Sequence, residues 1–541
     1  MSTPSLPASF PRTLRRPPAW VVCAVLAGLW LLLAPPTPDL AAQVYRSDLF
    51  GRIGFSVWDL SWYGGHHMPG YSLLFPPLGA LLGPRIVGAL AAILSVILFE
   101  RLIKPYFSPR AVRIAAVWFA VIVVCDLLIG RLTYGLGVTV GLCAVLSLSR
   151  GHPWLAAVLG IACATASPVT GVFTALAGGA VFLSGTDRRG LALAVTSLGT
   201  LLVMAGLFPE GGAQPFRWFQ IIVPLLVCGA VLALSRPGDR TLRIGTVLYV
   251  VGCILTMAIT SPLGDNVLRL GALVGGSLMA ALWVDRAPGS TRVNAKAIAA
   301  VGVIFLAWQL AGPIREVVKS SGDPSTSKAY YAPVMDFLRT HADPATRIEV
   351  PFTRGHWEAA YLAPHVPLAR GWETQLDKKI GSLFYDHRDE TFTAAKYHAW
   401  LRHNAVRFVV VPDVAPDPTS VREVEVIDSK PAWLKLVWTG PHWKAYAFRD
   451  AEPLVSGPAS MVALRPDGFT LRATRPGVVE VRVHKTPYYE ISRGQACVLP
   501  GDGDWTRLRV ERAGLIRVDA RFTLDDVGGG DALCPAPTPA R

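Results

Sequence analysis

The chain has 541 residues, 52% of them hydrophobic, and a formal net charge of +14. A mean hydropathy of +0.39, with apolar runs of about 15 to 20 residues, exceeds what a soluble domain carries and defines a polytopic membrane protein. Before Pro313 there are 22 basic and 10 acidic residues, and after it 30 and 28. The basic excess is therefore a topology signal, and nucleic acid is excluded as a partner.

Residues 1–19 form a basic tail carrying Arg12, Arg15 and Arg16. The first apolar stretch, residues 20–34, ends in Pro35 and Pro36 without a small-x-small cleavage site and reads as an uncleaved first span. Ten more follow at 86–99, 112–129, 132–148, 154–166, 169–183, 191–208, 219–234, 244–259, 268–284 and 297–311, giving about eleven spans in a membrane domain of residues 20–312. Residues 71–83 contain Pro76 and Pro77 and are short for a span, so they read as re-entrant, interfacial or the start of a tilted second helix.

Lysines and arginines alternate between loops. One set holds sixteen, from Arg12 through Arg101, Lys104, Arg110, Arg113, Arg150, Arg188, Arg189, Arg236, Arg240, Arg243, Arg286 and Arg292 to Lys296. The opposite set holds five, Arg46, Arg52, Arg131, Arg217 and Arg269. The positive-inside rule then places the N-terminus in the cytoplasm and the chain beyond Pro313 outside the cell membrane.

The outer loop 35–70 carries Arg46, Asp48, Arg52, Trp58, Asp59, Trp62, Tyr63, Gly64, Gly65, His66 and His67 between two strongly apolar segments. Other polar groups fall at outer helix ends: Asp126, Arg131, Ser167, Asp265, Asn266 and Arg269. Singly these suit interfacial anchors; their agreement in side points to a shared polar cavity.

The exported tail divides in two. Residues 313–452 have an α/β pattern, with helices at 332–341 and 394–404 and strands at 347–351 and 406–411. Residues 453–541 alternate as strands at 468–473, 478–484 and 515–522, which close as a β-sandwich. The segments around Trp357 and Trp372 set aromatic faces beside carboxylates and amides, which suits sugar rings; a packed seam against the membrane domain is the alternative. Six cysteines sit in apolar helices, while Cys497 and Cys534 lie in the tail, where an oxidising compartment allows them to pair. There is no zinc spacing, P-loop, dinucleotide fingerprint or serine nucleophile elbow.

This layout resembles the C-type superfamily of integral membrane glycosyltransferases. The combination Asp48, Trp58, Asp59, Trp62, Tyr63, Gly64, Gly65, His66, His67, Pro69, Gly70, Tyr71, Ser72 is also similar to an uncharacterised group of bacterial multi-pass proteins related to it. The resemblance implies transfer, with inversion, of a sugar from a polyprenyl-phosphate donor to a cell-envelope glycan acceptor at the outer leaflet of the lipid bilayer. On that footing Asp48 is the first choice of base and Asp59 the second. Arg131 and Arg269 are the choices for phosphate. His66 and His67 bind phosphate, bind a metal or orient the acceptor, and Asp265, Trp357 and Trp372 complete the substrate-binding set. Many members pair two acids one residue apart, whereas Asp48 and Asp59 are eleven apart, so a divalent metal is left open and no cofactor is assigned. Two other classes are compatible with the apolar layout: a non-catalytic envelope scaffold, and a multi-pass transporter. The transporter reading lacks two matching halves and a charge at the centre of a span.

Overall fold

The computed structural model describes residues 17–286, 294–385, 392–500, 503–522 and 534. The predicted basic positions Arg12, Arg15, Arg16 and Arg292 lie outside the described residues.

In chain order the membrane part comprises α1 (Ala19–Leu33), α2 (Pro38–Ile53), a two-stranded hairpin of β1 (Trp58–Asp59) and β2 (His66–His67), α3 (Phe75–Leu82), α4 (Pro84–Ile103), α5 (Pro109–Ile129), α6 (Leu132–Ser149), α7 (Pro153–Ala166), α8 (Pro168–Leu183), α9 (Gly190–Leu207), α10 (Ile222–Leu234), α11 (Arg240–Ala258), α12 (Leu268–Leu270), α13 (Gly276–Val284) and α14 (Ala295–Ser320). Every predicted apolar stretch is helical. Proline opens α4, α5, α7 and α8, where its missing N–H and fixed φ cost nothing.

Among the described residues seven helices are long and apolar enough to cross a bilayer: Pro84–Ile103, Pro109–Ile129, Leu132–Ser149, Gly190–Leu207, Arg240–Ala258, Gly264–Val284 and Ala295–Ser320. The pair α1 and α2, bent by 80°, makes up to eight, and α7, α8 and the segment Trp218–Leu234 are shorter apolar helices. Leu32, Trp154, Leu202 and Val303 project outward with more than half their surface uncovered, which water would not tolerate over so many helices but lipid does. Between helices, small residues allow close approach: a side chain on Gly178 of α8 would strike the carbonyl of Gly190 at the start of α9. The chain is a membrane-embedded helical protein with a β-rich tail.

Two local features differ from a simple loop between spans. Residues 38–53, expected inside a loop, form α2, because Pro38 starts it, Asp39 complements its first-turn dipole and Gly54 ends it at φ 75°. Residues 71–83 are neither a span nor its extension. They hold the short α3, separated from α4 by Gly83 at φ 87° and by Pro84.

Beyond α14 the tail has α15 (Ala332–His341), β3 (Arg347–Glu349), α16 (Glu358–Tyr361), α17 (Thr374–Ile380), α18 (Ala394–His403), β4 (Val406–Pro412), α19 (Val421–Asp428), β5 (Leu434–Gly440) and β6 (Trp443–Phe448). These strands form one sheet in the order β3-β4-β6-β5, parallel only between β3 and β4. Two further four-stranded sheets follow, built from β7 (Val455–Ser456), β8 (Ala459–Arg465), β9 (Gly468–Ala473), β10 (Gly477–His484), β11 (Tyr489–Arg493), β12 (Ala496–Val498), β13 (Trp505–Val510) and β14 (Gly514–Ala520). Their orders are β12-β13-β10-β7 and β11-β14-β9-β8. Alternate residues Val479, Val481 and Val483 of β10 turn inward with Phe469, Leu471, Leu508, Ile516 and Val518 to fill the space between them.

Cys497 and Cys534 form a disulfide that closes a segment of 37 residues. Loop-closure entropy sets its effect on stability at roughly 2–4 kcal/mol. Cys497→Ser is expected to lower the melting midpoint of the tail by several degrees in non-reducing buffer and to leave it unchanged under reductant, as followed by circular dichroism.

Candidate functional site

The helical period puts Asp39, Gln43, Arg46 and Phe50 on one face of α2. The end of α5 docks on the start of this helix. Gly130, at φ 91°, lies so close that a side chain there would come within 2.6 Å of the Leu40 nitrogen. That approach delivers Asp126 and Arg131 to Asp39. Arg131 donates from Nη1 to Asp126 Oδ1 at 3.4 Å, and its Nε is 4.0 Å from Asp39 Oδ2. Asp39 is the most open of the three, with 38% of its side chain accessible against 17% for Asp126.

Arg269 enters from the other side, at the start of the helix that carries the π turn Gly271–Gly275. Its guanidinium lies over Tyr134 at 5.5 Å, and the Tyr134 hydroxyl donates to the Arg269 carbonyl at 3.2 Å. Asp39, Asp126, Arg131 and Tyr134 are all within its electrostatic reach. No carboxylate among the described residues pairs with it directly. The four charges form a compact, net-neutral cluster with one exposed carboxylate and one unpaired guanidinium.

Tyr71 joins this cluster to Arg46. Gln43 donates from Nε2 to the Tyr71 hydroxyl at 2.7 Å, and the Arg46 guanidinium covers the Tyr71 ring at 3.8 Å. Burial raises the Tyr71 pKa, against the pull of Arg46, so the phenol stays protonated. Arg46 itself is ion-paired, through Nη2, with Glu373 of the tail. Burial lifts the Glu373 carboxyl above the usual carboxylate range, while Arg46 and His66 act in the opposite direction.

The other expected site residues have different surroundings. Asp48 lies on the opposite face of α2 from Asp39, half exposed, where it accepts from Arg52 Nε at 2.8 Å as an i,i+4 surface pair. Asp59 is fully buried and its carboxylate is occupied: Oδ2 accepts from the Tyr45 hydroxyl at 2.7 Å and Oδ1 from the Ser61 amide at 2.9 Å. One carboxylate is satisfied on the surface and the other inside a turn.

His66 stacks on Trp62 with ring centroids 5.6 Å apart, and its Nδ1 is 3.2 Å from the Asp59 carbonyl. His67 pairs through Nδ1 with Glu210 at 2.9 Å and packs edge-on against Trp58 and Tyr488. Asp265 receives the side-chain amides of Gln214 at 3.0 Å and Gln220 at 2.9 Å, fixing the crossing before α10. Trp357 is buried and donates to the Pro36 carbonyl at 3.1 Å; Trp372 stacks on His356 at 3.4 Å. Trp357 lies in a packed seam that joins tail and membrane part, whereas Trp372 stacks on His356 within the tail.

Of the polar residues expected at outer helix ends, Asp126 and Arg131 lie together with Arg269 near them, and Asp39, which the sequence did not single out, lies beside Arg131. The available signal was the stripe Asp39, Gln43, Arg46, Phe50, legible only once residues 38–53 are read as a helix. Among the described residues no three His, Cys, Asp or Glu side chains converge as metal ligands. Asp39 and Asp126 flank a guanidinium rather than each other, so these residues do not fit a cation site.

No protein-family model matches the chain, and no curated protein matches it. Among solved structures it is similar to the arabinofuranosyltransferase AftD from Mycobacteria, with 18% identity and a TM-score of 0.46 over 85% of this chain and 42% of that one. A mutant structure of AftD gives 14% identity and 0.46 over 94% of this chain and 60% of that one. The archaeal oligosaccharyltransferase AglB from Archaeoglobus fulgidus, in complex with an inhibitory peptide and a dolichol-phosphate, gives 12% identity and 0.34 over 73% and 69%. The chain thus spans 42% to 60% of the length of the AftD chains it matches.

The two acids expected at the site differ in what they support. Asp59→Ala is expected to destabilise the protein by ~2–3 kcal/mol through two orphaned buried donors, and Asp48→Ala by less than ~0.5 kcal/mol. Thermal denaturation of the purified variants in detergent measures both.

Proposed function

We propose that the protein is an integral membrane glycosyltransferase that moves a sugar from a polyprenyl-phosphate donor to a cell-envelope glycan acceptor. The observation that carries this reading is the meeting of Asp39, Asp126, Arg131 and Arg269 at one end of an apolar helical bundle, beneath the tail. In this reading there are eleven spans, the N-terminus is cytoplasmic, and the cluster and tail face the outer leaflet, as the loop charges require.

Asp39 is the base. Its exposed carboxylate takes the proton of an acceptor hydroxyl while that oxygen forms a bond to the anomeric carbon; the bond from that carbon to the phosphate oxygen breaks, and the electron pair leaves with the lipid phosphate. Attack opposite the leaving group inverts the anomeric centre. Arg131 and Arg269 donate to the phosphate oxygens as their charge grows, and a guanidinium does so at any accessible pH. Asp126 holds Arg131 in position. His66, His67, Trp357 and Trp372 support the site from behind by fixing the hairpin and the tail, Asp265 does so by fixing the crossing before α10, and Asp48 has no part in the chemistry.

The test is transfer from native lipid-linked sugars to envelope glycan in reconstituted vesicles. Asp39→Asn is expected to lower the rate by ~10²–10⁴-fold at normal expression, and Arg269→Gln to lower it comparably, while Asp48→Asn stays within about twofold of wild type, as a surface substitution does. Full activity in Asp39→Asn, or loss in Asp48→Asn with the fold intact, overturns the assignment.

A further inference from the structure

Within the tail, three carboxyl groups face one cation. Glu349 of β3, Asp377 of α17, Glu423 of α19 and Arg370 are all buried, none more than 2% exposed. Asp377 takes two guanidinium donors, Nη2 at 2.8 Å and Nε at 3.2 Å, and accepts also from the Tyr385 hydroxyl at 2.7 Å. The remaining nitrogen, Nη1, donates to the Ser420 hydroxyl at 3.3 Å and stands 3.9 Å from Glu349 and 3.7 Å from Glu423, beyond hydrogen-bond length.

Glu423 Oε1 accepts from the Tyr397 hydroxyl of α18 at 2.7 Å. Its Oε2 and both oxygens of Glu349 receive no hydrogen bond among the described residues. The Ser420 hydroxyl beside Glu423 has one proton to give, so it can serve only one of the three. Two ionised carboxylates held in this way would carry the full cost of desolvation with little in return. The two glutamates are within hydrogen-bond reach of each other, and a single proton between them turns two facing anions into an O–H···O⁻ bond.

We infer that Glu349 and Glu423 share one proton, and that this proton is a pH-sensitive latch holding β3, α17 and α19 together under the segment that seats the hairpin. Arg370 leads directly into Gly371, whose carbonyl receives Tyr63, and into Glu373, which pairs with Arg46. Release of the proton leaves three anions around one guanidinium, and their repulsion loosens that segment. The latch is independent of what the protein transfers.

The direction of the pH dependence follows. Burial, and then the charge of Glu423, pushes Glu349 well above the ordinary carboxylate range; burial also lifts Glu423, and Arg370 opposes both. Tyr385 and Tyr397 are raised by burial and stay protonated, while Tyr63 and Lys378 act on Asp377. An unfolded glutamate releases its proton near pH 4.3. The folded pair keeps one above that, so its contribution to stability falls as pH rises until the folded pair ionises.

The full chain in detergent is melted at pH 5 to 9, followed by tryptophan fluorescence. Glu349→Gln puts a neutral amide where the shared proton sits. Its midpoint is expected to fall less than that of wild type between pH 5 and pH 9, by about 3 °C or more, and to lie above wild type at pH 9. Parallel profiles for the two proteins overturn the inference. The infrared band of a protonated carboxyl, present in wild type at pH 7 in D₂O, is expected to weaken in Glu349→Gln; an unchanged band overturns it as well. If Glu349→Gln does not fold, Glu423→Gln carries the same expectations. If neither folds, absence of the band from wild type at pH 6 overturns the shared proton, and its loss on titration to pH 9 supports it.

Discussion

A charge taken out of water must meet a partner, and in this protein several of the partners come from distant parts of the chain. Arg46 on α2 meets Glu373 in the tail. Arg347 of β3, wholly buried, donates to the carbonyls of Asn404 at 2.8 Å and Arg482 at 2.7 Å, one in each half of the tail. Its guanidinium fits against the hairpin because Gly64 has no side chain to obstruct it. Arg370 is held between the rings of Phe352 and Phe384 and pairs with Asp377 at 2.8 Å. Breaking any of these leaves an uncompensated charge, which is far more costly than the net value of the pair. The relative placement of membrane part, hairpin and tail is thereby fixed.

The apolar contacts follow the same geometry. Trp62 occupies the space a side chain on Gly371 would need, and its indole N–H donates to the Ala359 carbonyl at 3.2 Å. Tyr63, held at φ 59°, donates to the Gly371 carbonyl at 2.6 Å. The hairpin behaves as a plug seated in the tail, and α2 is its stem. This explains why the histidines next to Gly64 and Gly65 are buried: they are the faces of the plug.

The sequence made the helices and strands legible because apolar runs and period-two alternation are local signals, and the boundaries at 332–341, 394–403 and 468–473 agree closely with them. Asp126, Arg131 and Arg269 were legible too, since charge at the edge of an apolar run is conspicuous. Asp39 was not, because it follows Pro36, Thr37 and Pro38, a run that reads as a turn, and its stripe appears only when α2 is recognised. Asp48 and Asp59 stood out for their polar neighbours, but those neighbours are what satisfy them. Sequence shows that a carboxylate is present; whether its oxygens are already taken depends on contacts such as that of Tyr45 with Asp59, which lie in three dimensions.

The long reach from Arg46 to Glu373 also orders the protein's synthesis. The ribosome delivers α2 before the tail, so throughout translation of the intervening helices the stem carries a cation without its Glu373 partner. The plug can be seated only after the chain has emerged past Glu373 on the side where the tail folds. A nascent protein whose tail fails to fold therefore leaves the Arg46 cation without its partner and the hairpin without the tail residues that cover it.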